Sequence, residues 1–542
     1  MDALRMNIPP NETDVIQAIK FLDVEERELR RYDQEISEHA SQANVTLHEE
    51  RALLERRIQE RRSWLSPIRK LPFEILVDII SYASVTSRGY SLEIPQDKFG
   101  SPIEAPICLL SHVSFWWRTV ALNLPQLWAS LSVDVSLASA KHYTLVELFI
   151  QRSQDLTSLK LDIVAHPKFK HMPLRHQHEE VFSLGQTGCD LLALLMQLLP
   201  RCNELCLSTK RNCFPLTVDV PGLALPFLTS FVDRTWGHSA NSSAHSFWAA
   251  IQRAPNLEHL EVIYYSEDVP YPYGQIRSLV VRLPSIWSAL QRPTSWLRAI
   301  GSCVRLESLT LLRYTQCQGW AADPIQVELP ILRHFALKCN DSPKTLDFLL
   351  SCLTFPSLVS FDCRHSFTQG SMRWVWSTTE STASIRFLEQ CSDTLQSLRL
   401  HAKFYMLSTE LLTMVLRAIP NLTSVQLEFT APQDQGSSTI SRLCTRMCLD
   451  ATLVPRLQAL SVREWMTARQ LEDLNPEEVI AMLEAKCRTR SSLADVSIFF
   501  CEDHNDDRDE TGLGTTPSLT PELLDRLQHL RNKGMDCNIA IL

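Results

Sequence analysis

The stretch IRKLPFEILVDIISYA, Ile68–Ala83, sets a dense apolar run behind a Leu-Pro pair. Pro72 suits the first turn of an α-helix, because the N–H that proline lacks would have no partner there. Helical spacing then gives the helix a broad apolar face, made by Ile75, Leu76, Ile79 and Ile80. A single partner helix would not cover this face. The stretch therefore predicts a short helix with apolar surface that something else must bury.

A second apolar block, ICLLSHVSFWWRTVALNLPQLWASL over 107–131, follows a polar connection rich in Pro, Gly and Ser. Helical spacing places Val113 and Trp117 on one face, Pro125 ends the run, and Trp128 adds a final apolar anchor. Two or three short helices are expected to fold over one another here.

Three motifs in this order, LPFEILVDII, LLSHVSFWWRTVA and LPQLW, resemble the F-box over roughly Pro67 to Leu131, although Ser114 and Trp116 depart from the usual pattern. F-box domains dock on the Skp-type adaptor of a cullin-based (SCF-type) ubiquitin ligase, so the resemblance implies that the surplus apolar surface is an interface. By position it assigns to adaptor binding Leu71, Pro72, Ile75, Leu76 and Ile79. By position it assigns to a small internal core Val113, Trp117 and Trp128. The alternative is that all these residues are core for the rest of this chain.

The segment 11–65 has almost no Gly or Pro and a dense mixture of both charge signs, so helix is the regular structure that suits it. Apolar residues recur every seven positions in two offset series, as along the seam of a coiled coil. The seam is weak, because Asp33 and Glu50 fall where apolar residues are expected. Two structures stay open: a coiled coil that self-associates, and a helical hairpin or single long helix that packs on the following domain.

The segment 135–542 carries a repeated unit, in which an apolar helix-like run and a polar turn precede L-x-x-L-x-L. Successive copies lie about 26 to 50 residues apart. The clearest copies are FWAAIQRAPNLEHLEV, WLRAIGSCVRLESLTL, FLEQCSDTLQSLRL and MVLRAIPNLTSVQL. The chain's end, with a helix from Thr520, Gly534 and a last strand, is typical of a capping unit.

This organisation resembles the degenerate leucine-rich-repeat region of many fungal F-box proteins. We therefore predict a mixed α/β chain in three parts: a long N-terminal helix or helical hairpin over 11–65, a small all-α F-box domain over 66–134, and an α/β leucine-rich-repeat-like solenoid with a parallel sheet over 135–542. A compact α/β domain is the alternative for the third part.

Composition narrows the functional classes. The chain has 62 acidic and 53 basic residues among 542, a net charge of −9, which gives no global attraction for nucleic acid or an anionic membrane. No apolar run reaches the roughly eighteen residues of a transmembrane span, and the start lacks a secretory signal, so we expect an intracellular protein of the cytoplasm or nucleus. The 16 cysteines contain no C-x-x-C pair and are expected to be reduced core residues.

No motif predicts a catalytic residue, a cofactor or a metal. The His-rich stretch 166–180 lacks H-E-x-x-H and a nearby cysteine, so we interpret it as a solvated loop. The stretch 503–514 imitates a calcium loop, but Arg508 replaces the required Gly and Gly514 replaces the bidentate Glu. Candidate contacts for a target protein are the tyrosines of 261–275, whose alternative role is local packing: Tyr264, Tyr265, Tyr271 and Tyr273.

These observations predict a non-catalytic substrate-recognition subunit of an SCF-type ubiquitin ligase. Its F-box would dock to the Skp-type adaptor and cullin, its repeats would hold a target protein, and its N-terminal helix is a candidate for self-association. One alternative is a non-degradative interaction scaffold that does not engage a cullin. The other is an enzyme hidden in the repeat array, which predicts a deep pocket with convergent polar groups.

Overall fold

The protein is described here from a computed structural model. The described residues are 12–38, 45–95, 102–154, 156–165, 184–209, 222–235, 245–263, 269–282, 293–312, 325–339, 349–365, 382–406, 409–430, 438–450, 452–466, 470–471, 474, 476–488, 493–502 and 519–541. Their contacts divide the chain into two compact units, Met1–Cys202 and Asn203–Leu542. Both units combine helices with parallel strands, so the chain is mixed α/β as predicted.

A helical hairpin forms the start of the first unit. Its helices are α1 (Glu12–Glu38) and α2 (Val45–Leu65). Glu25, only 4% exposed, accepts from Arg57 Nη2 and from Arg61 Nε at 2.7 Å each. Nearer the turn, Arg51 Nε donates to Asp33 Oδ1 at 2.6 Å. The partners run in opposite directions along the sequence, so the helices are antiparallel. Asp33, out of place in an apolar seam, is here one half of an ion pair between the helices.

The rest of the first unit mixes short helices with three strands. Its elements are α3 (Phe73–Ala83), β1 (Leu92–Ile94), α4 (Pro106–Leu110), α5 (Phe115–Leu122), β2 (Ser130–Asp134), α6 (Ala140–Arg152), β3 (Leu159–Ala165) and α7 (Gln186–Met196). Strands β1, β2 and β3 pair in parallel, with Leu92 opposite Leu131 and Leu131 opposite Leu161.

These strands correct the prediction of an all-α domain over 66–134. Leu92 and Ile94 are buried inside a stretch that its Ser, Gly and Pro content had marked as a polar connection. A three-residue segment with apolar side chains at its first and third positions is enough to add a strand to a sheet, but it is too short to reveal the two-residue apolar period of a strand in the sequence.

The second unit is built around a parallel sheet. Its elements, with β4 starting at the unit boundary, are β4 (Cys202–Thr209), β5 (Ser230–Asp233), α8 (His245–Gln252), β6 (His259–Val262), β7 (Ser278–Arg282), α9 (Pro293–Gly301), β8 (Ser308–Leu312), β9 (Val327–Glu328), β10 (His334–Cys339), β11 (Leu353–Thr354), β12 (Ser360–His365), α10 (Thr382–Gln390), β13 (Ser397–Met406), α11 (Thr409–Ala418), β14 (Ser424–Thr430), α12 (Thr439–Leu449), β15 (Ala459–Met466), α13 (Glu477–Arg488), β16 (Asp495–Glu502), α14 (Pro521–Asn532) and β17 (Asp536–Ile541).

From β4 to β17 the sheet strands follow one another in chain order, and β9 pairs with β11 in a separate ribbon. The leucines of the repeated motif fill one face of this sheet. Leu309, Phe335, Phe361 and Leu398 are opposite one another on successive strands, and none is more than 1% exposed. The L-x-L prediction of strands with buried leucines is confirmed wherever the copies are described.

Glu464, on β15, is a buried carboxylate with a structural task. Its oxygens accept hydrogen bonds from Ser438 Oγ at 2.5 Å, from Thr439 N at 2.7 Å and from Ile440 N at 3.3 Å. These donors open α12, so Glu464 satisfies backbone N–H groups that have no partner within the helix. Burial raises the pKa of Glu464 despite these hydrogen bonds, which act in the opposite direction.

The end of the chain has the predicted helix and strand. Thr520 Oγ1 caps α14 by accepting from Leu523 N at 3.4 Å, and Gly534 turns the chain at φ +90° before β17. Leu523 packs inward, whereas Leu524 is 51% exposed and does not belong to the buried face. Four of the cysteines expected in the core are buried with free thiols: Cys202, Cys303, Cys352 and Cys391.

Candidate protein-binding surfaces

Helix α3 begins where the Leu-Pro pair of the sequence predicted. Leu76 N donates to Pro72 O at 3.1 Å, which closes the first turn, and the extended conformation of Pro72 (φ −54°, ψ 151°) turns the chain into the helix. Glu74 lies in the first turn, where its negative charge is favourable to the helix dipole.

The apolar residues of α3 separate onto two faces. Leu76 and Ile80 have no exposed surface. Ile75, Ile79 and Tyr82 are 46%, 38% and 89% exposed, at the i, i+4 and i+7 spacing of a single stripe. We call this stripe the outer face of α3. It is apolar surface that the described chain leaves in contact with solvent.

Two short helices hold α3 in place. Contacts join α3 to α4 and α5, and α4 to α5. Ser114 Oγ caps α5 by accepting from Trp117 N at 3.2 Å, and the rings of Phe73 and Trp116 meet edge to face with centroids 6.0 Å apart. Buried residues from these helices fill the space behind α3: Ile107, Trp117, Val120 and Ala121.

Trp128 closes this core. It is 2% exposed, its Nε1 donates to Ala121 O at 2.8 Å, and its ring lies 4.9 Å from that of Phe149 in an edge-on arrangement. Trp117 and Trp128 are therefore core residues, as the resemblance implied.

Two residue assignments are corrected. Leu76, predicted to face the adaptor, is fully buried, because one helical position rotates it about 100° from Ile75 toward α4 and α5. Val113, predicted to be core, is 56% exposed, since it lies in the turn before α5 and not on the helix. Of the other predicted adaptor residues, Pro72, Ile75 and Ile79 are exposed and Leu71 is partly buried.

The four tyrosines predicted to contact a target protein do not form one exposed surface in the described residues. Tyr264 and Tyr265 lie outside the described residues. Tyr271 is only 4% exposed and donates its hydroxyl to the buried Asp233, so its role as a surface contact is wrong. Its ring packs edge to face against Tyr273, which is itself partly buried, with centroids 5.8 Å apart. Local packing, the alternative interpretation, describes Tyr271.

A surface that the sequence analysis missed lies on the sheet of the second unit. The residues between the buried leucines point to the opposite sheet face, and register aligns them in rows. One row across five strands contains Lys338, Arg364, His401, Glu428 and Arg463. Arg399 lies two residues before His401 and therefore on the same face. The signal was present in the sequence as the x positions of L-x-L, once neighbouring copies are aligned.

The two acidic groups on this part of the face are already engaged. Asp362 accepts from Arg364 at 2.8 to 3.1 Å. Glu428 accepts from Trp465 Nε1 at 3.3 Å and lies 2.9 Å from His401 Nδ1. Burial raises the pKa of Glu428, but the hydrogen bonds with His401 and Trp465 and the nearby charges of His401 and Arg463 together outweigh burial and lower it.

Within the described ranges, no group of three His, Cys, Asp or Glu side chains is arranged to hold a metal. The His-rich stretch 166–180 and the acidic stretch 503–514 lie outside those ranges. Burial raises the pKa of three core thiols to about 12, which disfavours the reactive thiolate: Cys202, Cys303 and Cys391. Among the described helices, none has the length and apolar character needed to cross a membrane.

No protein-family model matches this chain, and no curated protein does. The F-box resemblance therefore rests on the motifs of 67–131 and on the side chains that those motifs place at the surface.

Proposed function

We propose that this chain is the substrate-recognition subunit of a cullin-based ubiquitin ligase. The outer face of α3 docks to the Skp-type adaptor, and the sheet of the second unit holds a target protein. The chain itself performs no chemistry in this proposal. It raises the effective concentration of target lysines near the conjugating enzyme that the ligase carries.

The observation that carries the proposal is the exposure of Ile75 and Ile79 on a helix that otherwise packs well. A folded chain gains by burying such side chains, so a stripe of them beside a fully buried pair indicates a surface that a partner covers. The stripe coincides with the positions that the F-box resemblance assigns to the adaptor, and two of the three core positions that it assigns are buried.

The proposal includes a leucine-rich-repeat-like solenoid for the second unit. Parallel strands that follow in chain order are joined by crossovers, which are right-handed in nearly all proteins, so successive helices fall on one side of the sheet. The other side is then left without helices. The half-exposed residues between the buried leucines support this arrangement and offer a target an extended surface.

The N-terminal hairpin adds self-association to the proposal. Four large apolar side chains of α1 are between 45% and 55% exposed: Ile16, Ile19, Phe21 and Val24. We expect the purified chain to increase in mass with concentration in light scattering, and Ile16→Asp with Val24→Asp to abolish the increase. A mass that stays at one chain at all concentrations would remove this part of the proposal.

Copurification with a Skp-type adaptor and a cullin tests the main function. The variant Ile75→Asp/Ile79→Asp should lose both partners, because adaptor binding would bury two carboxylates without partners. The matched control is Ile331→Asp, which changes an isoleucine that is 42% exposed in the second unit. Adaptor capture that survives the double variant argues against docking by α3, and a folded wild-type chain that captures no adaptor favours the non-degradative scaffold.

A further inference from the structure

We propose that the outward face of the sheet in the second unit binds an acidic, extended segment of the target protein. The binding surface is the basic strip, defined as Lys338, Arg364, Arg399 and Arg463. The inference deepens the proposed function, since it names the chemical class of the target at the face that holds it.

Sheet register brings the basic strip together. Lys338 is opposite Arg364 on the next strand, and Arg463 lies three strands beyond Arg364 in the same row. With neighbouring strands about 4.8 Å apart, the row from Lys338 to Arg463 spans roughly 19 Å. An extended peptide that crosses the strands covers this distance with roughly six residues.

The four basic residues of the strip outnumber the two carboxylates that lie beside them, Asp362 and Glu428. Asp362 is held by Arg364, and Glu428 is held by His401 and Trp465. Among the described residues, Lys338, Arg399 and Arg463 form no ion pair at contact distance, although Arg399 is opposite Asp362 in the register and Arg463 is near enough to Glu428 to help lower the pKa of that carboxyl. All three basic side chains are exposed. A local excess of positive charge in a chain of net charge −9 favours an anionic ligand at this face.

One guanidinium of the strip is already positioned for binding. The Cζ of Arg463 lies 5.7 Å from the centroid of the Phe499 ring on the next strand, a cation–π contact. A side chain fixed in this way loses less conformational entropy when it pairs with a ligand carboxylate or phosphate.

The size of the strip favours a peptide over a nucleic acid. Nucleic-acid binding proteins typically neutralise many phosphates along a basic groove, whereas four basic side chains over roughly 19 Å, with Asp362 and Glu428 among them, match a short run of acidic residues. The anionic groups of the peptide are carboxylates or phosphates, and these two sources are separated by the probes below.

Fluorescence anisotropy on the purified full-length chain tests the strip. The probes are a labelled twelve-residue peptide of alternating Glu and Gly, its Gln counterpart, a phosphoserine counterpart and a twelve-nucleotide single-stranded RNA. The variant is Lys338→Gln/Arg399→Gln/Arg463→Gln. The matched control neutralises three exposed arginines of the same unit that lie on a helix or directly after one, Arg253→Gln/Arg298→Gln/Arg386→Gln.

We expect the wild-type chain and the control to bind the Glu peptide, more weakly as salt increases, and the strip variant to bind it at least tenfold more weakly. Tighter binding of the phosphoserine peptide identifies phosphate as the preferred group, and tighter binding of the Glu peptide identifies carboxylate. The inference is overturned if the Gln peptide binds as tightly as the Glu peptide, or if the control variant loses as much affinity as the strip variant. It is also overturned if neither anionic peptide binds, or if the RNA binds more tightly than both.

The same preparations are assayed for adaptor capture, which keeps the two proposals separate. If the chain captures the adaptor but does not bind the anionic peptides, only the proposal for the basic strip is refuted. Strip-dependent peptide binding without capture refutes the ligase function and leaves the acidic-peptide surface in place.

Discussion

The two faces of α3 predict a clean separation between partner binding and folding. Ile75 and Ile79 expose 46% and 38% of their surface, a little less than one whole isoleucine, so covering them stabilises a complex by roughly 1.2–2.5 kcal/mol. The variant Ile75→Ala/Ile79→Ala keeps each β-carbon and should weaken adaptor binding about 5- to 50-fold. Its folding stability should change by less than about 1 kcal/mol, because both positions are on the surface.

The buried face of α3 provides the opposite case. Leu76 and Ile80 have no exposed surface, and Leu76→Ala should destabilise the fold by roughly 2–5 kcal/mol through lost packing and a cavity. Adaptor affinity is measured by isothermal titration calorimetry and stability by urea titration of the same samples. If Ile75→Ala/Ile79→Ala destabilised the fold as much as Leu76→Ala, the division of α3 into two faces would be refuted. An exposed pair that leaves adaptor affinity unchanged would refute its role in docking.

Four further predictions concern buried polar groups and the core. Glu464→Ala leaves the hydrogen-bond donors at the start of α12 without partners, which should lower the free energy of unfolding by roughly 2 kcal/mol or more. Amide hydrogen exchange in that turn, measured by mass spectrometry, should become about 30-fold faster. Exchange that stays slow would contradict the capping role. The pKa of Glu464 is raised above its ordinary value of 4.5, so its contribution to stability is complete below pH 4.5 and declines as pH rises through the pKa of the folded protein. Glu464→Gln should remove this decline in urea titrations between pH 4 and pH 8. Parallel curves of stability against pH for the two proteins would contradict the prediction. Glu25→Ala should destabilise the hairpin by about 1–3 kcal/mol, because it removes the ion pairs with Arg57 and Arg61. Amide exchange should then be faster in both α1 and α2. Unchanged exchange in both helices would show that these ion pairs contribute nothing to stability. Trp128→Ala should destabilise the first unit by roughly 3–5 kcal/mol in urea, and a smaller loss would show that Trp128 is not central to that core.

Periodicity made much of the second unit predictable. In L-x-L the alternation of a strand coincides with burial of one sheet face, so the leucines of β8, β13 and β14 mark both the strand and its orientation. Strand β7 was not predicted, because a 3₁₀ turn over Tyr273–Gln275 takes the place of the preceding helix. The motif as read required the helix, although Ile276, Leu279 and Val281 have the same spacing as the other copies.

Helix α3 shows which part of the fold the sequence alone does not determine. The Leu-Pro start and the apolar run predict α3, yet the run alone does not say which side faces its own chain. That choice depends on where α4 and α5 pack, which is a tertiary outcome, and it places Leu76 inside and Ile75 outside. The basic strip was hidden for a related reason, because its members lie on different strands and are brought together only by register.

The short link between α3 and β1 has a mechanical consequence. The link turns at Gly89 (φ +80°), Thr86 N donates to Tyr90 O at 2.7 Å, and Ser91 N donates to Ser130 O at 2.8 Å. These hydrogen bonds restrain the link, so α3 has little angular freedom relative to β1 and β2. Under the proposed function, an adaptor bound to the outer face of α3 is therefore held at a nearly constant angle to strands β1 and β2 of the first unit.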